Sequence, residues 1–250
     1  MIELKKTAVG YGRITVAENV SFPAKAGEIT VLLGKNGSGK STLIRSISGN
    51  LPYGGSIMLD GIEVHTLKPK ERARRIAIMP QLLLSPEITV TELVSYGRQP
   101  YTGFTGILSE NDKKFVADVI NNTGIGKLAN ARVDRISGGE RQKAYFAALL
   151  AQDTENLVLD EPGAFLDAEY MNNLCAFLLK AKSEEKTVLA VLHDVNRALE
   201  IADKLVVLDR EVVFDGDRDA FIANGIAEHF FSLKRFECIG EDGERTVLYR

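Results

Sequence analysis

The sequence predicts an α/β fold with a mainly parallel sheet, an antiparallel β portion at the N-terminus and an inserted helical subdomain. Three observations predict it. Residues 28–33 form a short apolar, partly β-branched run, followed by the glycine-rich stretch 34–42 and a helical pattern at 40–47. From residue 157 to 208 strand-like and helix-like segments alternate, the texture of parallel βαβ units. Between 85 and 152 the pattern is nearly all helical, with helix-start signatures at Thr89-x-x-Glu92, Ser109-x-x-Asp112 and Ser137-x-x-Glu140.

Each element has its own reason. Residues 2–33 alternate strand-like segments with turns, broken at Tyr11-Gly12 and Ala26-Gly27. Leu43, Ile44 and Ile47 share one helical face, and Gly49 stops that helix. Residues 56–59 and 62–64 read as a hairpin, because Asp60-Gly61 supplies the positive φ of a tight turn. A short basic helix at 68–75 precedes a strand at 76–79, which Pro80-Gln81 ends. Val90 to Tyr96 follows the first helix-start box, and Phe115, Val116, Val119 and Ile120 form an apolar face after the second. The third box opens a helix carrying Tyr145, Phe146, Leu149 and Leu150. Residues 157–160 read as a strand, and a helix follows from Asp167 with Met171, Leu174, Phe177, Leu178 and Ala181 inward. A strand at 187–192, a helix at 195–202 and strands at 204–208 and 212–214 continue the alternation. The tail reads as one helix at 220–231 and a hairpin, 236–239 with 245–249, across Glu241-Asp242-Gly243. The organisation expected is a core of 1–84 and 153–215, a helical subdomain of 85–152 and an appendage of 216–250.

Composition narrows the classes. The chain has 250 residues, 45% of them hydrophobic, enough for a sizeable core. A formal charge of −3 and no Lys/Arg-rich block argue against a nucleic-acid partner. Cys175 and Cys238 match no metal spacing, and Cys175 falls in an apolar helical pattern. The N-terminus lacks a signal-peptide run, and no apolar stretch reaches membrane-spanning length.

Gly34-Lys35-Asn36-Gly37-Ser38-Gly39-Lys40-Ser41-Thr42 fits the phosphate-cradling pattern G-x-x-x-x-G-K-[ST]. Gly34, Gly37 and Gly39 let backbone N–H groups approach an anion without a Cβ in the way. Lys40 brings a point charge to the β- and γ-phosphates of a nucleotide, and Ser41 a hydroxyl for Mg²⁺. Without its flanking strand and helix the stretch would be an ordinary Gly-rich turn. The apolar strand 156–160 ends in Asp160-Glu161, where one acid can hold a Mg²⁺ shell and the next can polarise water. Alone, it is also a buried strand before a solvated turn. Ser137-Gly138-Gly139-Glu140 reads as a helix start. Its two glycines cost about 1 kcal/mol each against Ala in a helix interior, and they suit close approach to an anion.

With Ile136-Ser137-Gly138-Gly139-Glu140 in view, the chain resembles the nucleotide-binding subunit of ATP-binding cassette (ABC) transporters over nearly its whole length. The resemblance implies a phosphate-loop NTPase, RecA-like core, and it implies roles. Tyr11 matches the aromatic stacked on adenine, and Gly34 to Thr42 the Walker A loop. Gln81 matches the glutamine that reaches Mg²⁺ and the attacking water. Asp160 and Glu161 match the Walker B aspartate and the catalytic glutamate, Asp167 the D-loop, and His193 the switch histidine. Tyr11, Gln81 and His193 would each pass singly for ordinary turn or strand-end residues. Four positions depart from the pattern: Lys35 stands where Pro is common, Ile136 for Leu, Gly163 for Thr or Ser, and Ala148 for Arg. None removes a catalytic group.

The resemblance further implies a homodimer that sandwiches two ATP, with Ser137, Gly138 and Gly139 of one copy closing on the nucleotide held by Lys40 of the other. It implies Mg²⁺, integral membrane permease subunits gripped beside Gln81, a substrate-binding protein upstream, and the cytoplasmic face of the cell membrane. The segments 149–152, 164–167 and 191–199 resemble ATPases of iron–siderophore, haem or cobalamin importers. A soluble ABC ATPase of an iron–sulfur assembly complex and one acting on DNA or ribosomes are the alternatives. Acidic balance and the lack of a coiled-coil insert weigh against the second.

Overall fold

The computed structural model describes residues 1–103, 105–162, 168–239 and 245–250. Strands β1 (Ile2–Tyr11), β2 (Ile14–Ala24) and β3 (Ile29–Leu33) lead into helix α1 (Lys40–Ile47). Strands β4 (Tyr53–Leu59) and β5 (Ile62–Glu63), helix α2 (Pro69–Ala73) and strand β6 (Ile76–Met79) follow. Asp60 and Gly61 both take positive φ, 51° and 77°, the mirror-image turn that matches strand twist in a two-residue hairpin loop.

The inserted segment holds α3 (Val90–Ser95), α4 (Glu110–Asn122) and α5 (Gly138–Ala151). All three helices start on the expected boxes: Thr89, Ser109 and Ser137 accept from the backbone N–H three residues on. This part is less helical than expected. Tyr96–Tyr101 is a 3₁₀ segment that accommodates Pro100, and Gly126–Leu128 and Val133–Arg135 are single 3₁₀ turns. Its buried face is its own, with Val90, Val94, Val116, Ile120, Val133 and Ala147 packed together.

The chain then returns through β7 (Asn156–Asp160), α6 (Ala168–Ser183), β8 (Thr187–Val191), α7 (Val195–Ile201), β9 (Lys204–Asp209) and β10 (Glu211–Gly216). The tail departs from expectation. In place of one helix at 220–231 there are two, α8 (Arg218–Ala223) and α9 (Ile226–Phe231). Gly225, at φ 59°, adopts the left-handed conformation that breaks the run, although apolar periodicity continues across it. Strands β11 (Arg235–Ile239) and β12 (Arg245–Tyr249) pair antiparallel as expected; the connecting residues 241–243 lie outside the described residues.

The main sheet runs β10-β9-β3-β8-β7-β6, and every pair is parallel except the edge pair β9–β10. Strands β3, β7 and β8 are buried at every residue, because both faces of the sheet are covered. On one face Val31, Leu33, Leu159 and Ala190 pack against α5, α6 and α7. Tail residues Phe221, Ala227 and Tyr249 belong to that same core. On the other face Leu32, Val158, Leu189 and Val206 meet α1 and the antiparallel sheet β2-β1-β4-β5. Among the described residues no helix is long and apolar enough to cross a membrane.

One consequence of this topology positions the site. Strands β3, β6, β7 and β8 are mutually parallel, so their carboxyl ends lie along a single edge of the sheet, where ligands of open α/β sheets bind.

Candidate functional site

Each of those four strand ends delivers one part of the site. β3 runs straight into the glycine loop. A Cβ on Gly34 would lie 2.3 Å from the carbonyl oxygen of Leu208, so only glycine lets the loop start this close to β9. Gly39 caps α1 in the left-handed region, at φ 104°. Lys40 is 5% exposed, and its Nζ donates to the carbonyls of Gly34 at 2.8 Å and Lys35 at 3.0 Å. Burial pushes the Lys40 ammonium below the usual lysine range, against the opposing pull of Glu161 and Asp160. Ser38 Oγ is buried in the loop with no hydrogen-bond partner among the described residues, and Thr42 is also buried. Asn36 and Gly37 are exposed.

β7 delivers the acids. Asp160 is 6% exposed and accepts from Ser41 Oγ at 3.2 Å. Burial raises its carboxyl above the ordinary aspartate value, partly offset by Ser41, while Glu161 raises it further. Glu161 adopts φ 54°, a left-handed conformation that costs a non-glycine residue on the order of 1–3 kcal/mol and is held only where surroundings over-determine it. Here they do. Its N–H donates to Val191 O at 3.2 Å, and its two carboxylate oxygens are both engaged. Gln81 Nε2, from the end of β6, donates to Oε2 at 2.5 Å. His193 Nε2, from the end of β8, lies 2.5 Å from Oε1.

The structure thus brings together Lys40, Ser41, Gln81, Asp160, Glu161 and His193. Tyr11 lies at the end of β1, half-exposed, with its hydroxyl accepting from Arg45 at 3.3 Å. Sequence reasoning does not single out Arg45. Its place four residues after Ser41 on the same face of α1 is the signal that could have found it.

The signature residues stand apart. Ser137 and Gly138 are exposed at the start of α5, and the bonds of Ser137 stay within the helix start: its N–H to Glu140 at 2.9 Å and its Oγ from Glu140 N at 3.3 Å. Gly139 is half-buried beside them. Among the described residues none of these three bonds the glycine loop of the same chain. Their helix does reach the site by its flank: Gln142 Nε2 donates to Pro162 O, and Arg141 donates to Ser85 Oγ in the segment after Gln81. Neither was expected from sequence. Asp167 and Gly163 lie outside the described residues.

The donor set fits its expected ligands. A hydroxyl and a carboxylate offer Mg²⁺ the hard oxygen ligands it prefers. A buried hydroxyl without a partner, an exposed glycine turn and a lysine at a helix N-terminus suit a phosphate chain.

Comparison with known proteins agrees with this geometry. Residues 17–164 match the family model described as ABC transporter. The chain is 35% identical over 241 residues to a petrobactin import ATP-binding protein of Bacillus anthracis, covering 95% of this chain and 87% of that one. It is 37% identical to the ferric enterobactin transport ATP-binding protein of Escherichia coli, covering 92% and 86%. A bacterial ABC transporter cassette solved as a dimer superposes with a TM-score of 0.79 at 27% identity, over 87% of this chain and 99% of that one. With an ordered phosphate loop, paired acids and a separate signature helix, and with relatives that match nearly end to end, this chain belongs to the ABC transporter family.

Proposed function

We propose that this chain is the ATP-hydrolysing subunit of a siderophore importer, working as a homodimer beneath permease subunits at the cytoplasmic face of a membrane. The observation that carries the hydrolytic part is the clamp on Glu161, held from both sides by Gln81 and His193 at the end of β7. The cargo rests on the relatives, whose names are those of petrobactin and ferric enterobactin systems.

In this reading Lys40 and the loop N–H groups of residues 36–42 bind the triphosphate, and Tyr11 packs on the base. Ser41, Asp160 and Gln81 would hold Mg²⁺, which when bound neutralises charge on the β- and γ-phosphate oxygens. Glu161 accepts the proton of the attacking water. His193 keeps that carboxylate in place from one side and would position the γ-phosphate and the water, and Gln81 keeps it in place from the helical side. Asp167 belongs to the same proposed interface between copies.

Two surface features support the partners. Ser137 and Gly138 present an exposed helix N-terminus that bonds only within its own first turn among the described residues, which suits the γ-phosphate bound by a second copy. Leu82 is 79% exposed and Leu84 68%, directly after Gln81. Paired exposed leucines beside a catalytic glutamine suit a helix of a membrane subunit. A substrate-binding protein would deliver cargo from the far side. The test is purification from the native membrane with ATPase assay: an integral membrane protein should co-purify, and ATP hydrolysis should depend on Mg²⁺. Co-purification of a soluble assembly complex instead would favour the alternative role.

A further inference from the structure

The C-terminal segment was expected as an appendage, yet it touches the candidate site at two places that nothing in its sequence announces. At one, Lys35 Nζ lies 4.7 Å from the centroid of the Phe230 ring on α9. Lys35 is the residue whose charge departs from the family pattern, and its own carbonyl accepts from Lys40 Nζ. At the other, Asn196 on α7 pairs with the backbone of Tyr249 as a strand would: Nδ2 donates to Tyr249 O at 2.9 Å, and Oδ1 accepts from Tyr249 N at 2.8 Å. Asn196 is in the first turn of the helix that starts just after His193.

The described residues of the tail pack on one core. Phe221, Ala227 and Tyr249 are buried in the main core, Phe221 meets Phe214 edge-on at 5.5 Å, and Lys234 and Arg250 close the hairpin with two backbone bonds. A body fixed to the sheet that grips the phosphate loop at one end and the switch helix at the other sets the distance between them.

We propose that the described tail residues, 217–239 and 245–250, form a brace for the nucleotide site, with Lys35, Phe230 and Asn196 as positioning residues. The Phe230 ring holds Lys35, and with it the carbonyl acceptor of Lys40, in the arrangement that receives the triphosphate. Asn196 holds α7, and with it His193, at a fixed height above the loop. The inference rests on the ATPase reading of the site.

The two contacts predict different kinetic signatures in the full-length protein. Lys35→Met and Phe230→Leu remove the charge or the ring while keeping bulk. Each should raise KM for ATP by about two- to five-fold, the range of an exposed cation–π contact. The double variant should be no worse than the weaker single, because both delete one interaction. Phe230→Tyr should restore wild-type KM. Asn196→Ala should lower kcat by about two- to ten-fold at unchanged KM. The brace is overturned if the two KM effects multiply, if Phe230→Leu lowers the melting temperature without moving KM, or if all variants turn over like wild type. A wild-type chain that fails to hydrolyse ATP with Mg²⁺ would overturn the ATPase reading itself, and the brace with it.

Discussion

Ser41 Oγ lies 3.2 Å from Asp160 Oδ1, which joins the first turn of α1 to the last residue of β7 across the candidate metal position. Asp160 is the more demanding partner. It is buried, and burial holds its carboxyl above the ordinary value near 3.8. The folded chain therefore binds this proton more tightly than the unfolded chain does. Stability contributed by the group is full below the unfolded value and is lost as pH rises through the folded one. In its ionised form Asp160 therefore weighs against the fold. Asp160→Asn should melt at or above the wild-type temperature in nucleotide-free buffer while losing Mg²⁺-dependent hydrolysis. A variant melting several degrees lower would mean that the Ser41 contact stabilises the fold more than burial opposes it.

The same raised carboxyl sets a pH dependence for the metal. Mg²⁺ needs the ionised form. As pH falls from neutral, Mg²⁺-dependent ATP affinity should begin to drop at a higher pH than an ordinary aspartate would give. Titrating ATP binding with and without Mg²⁺ isolates the effect. A Mg²⁺ advantage that stays constant down to the ordinary carboxylate range would contradict it.

Glu161 is held in place by Gln81 and His193, so its position does not depend on its charge alone. Glu161→Gln keeps the shape and one acceptor oxygen, and it removes the base. Turnover should fall by roughly 10²- to 10⁴-fold, while ATP still binds and dimers persist because nothing discharges them. Near-normal hydrolysis in this variant would remove Glu161 from the mechanism.

Ser137 caps α5 and, in the proposed sandwich, also meets the second copy's nucleotide; two substitutions separate the two. Ser137→Ala deletes the cap of α5 and should cost about 0.5–2 kcal/mol of stability. Ser137→Asp keeps a good cap, so the chain should fold and melt as wild type. It also places a carboxylate where the second copy's γ-phosphate would sit, so ATP-dependent dimerisation should be lost. Sizing the Glu161→Gln background with and without Ser137→Asp reads this directly; dimers that form equally well in both would exclude the proposed sandwich.

What was legible in the sequence was local. The helix starts at Thr89, Ser109 and Ser137 depend on residues three apart, and the glycine loop depends on nine in a row. The joining of Gln81, Glu161 and His193 was legible only through parallel topology, since strands ending in polar residues converge when their carboxyl ends share an edge. The break at Gly225 was not legible, because apolar periodicity runs across it. The contacts of Lys35 with Phe230, Arg45 with Tyr11 and Gln142 with Pro162 join distant segments and leave no spacing to read. The signature had the opposite fate. Its residues stand out in sequence, and among the described residues of one chain the cap of α5 accounts for Ser137 and Glu140 while nothing accounts for the two glycines between them.

The glycine loop itself offers the last contrast. Gly37 and Gly34 are both conformationally special, but for different reasons. Gly37, at φ 81°, has open space where a Cβ would go, so Gly37→Ala meets only backbone strain of about 1–2 kcal/mol. At Gly34 a Cβ would lie 2.3 Å from Leu208 O and 2.7 Å from Ser38 Oγ. Leu208 cannot give way, because β9 is pinned to β3 by the register of Leu33 with Val207. The loop must move instead, and the Gly34 carbonyl that holds Lys40 moves with it. Gly34→Ala should therefore weaken ATP binding by well over ten-fold, and Gly37→Ala by clearly less, in fluorescent-nucleotide titrations of the folded variants. The reverse order would show that backbone strain at the exposed turn, rather than the close approach of the loop to β9, governs how this chain receives its phosphates.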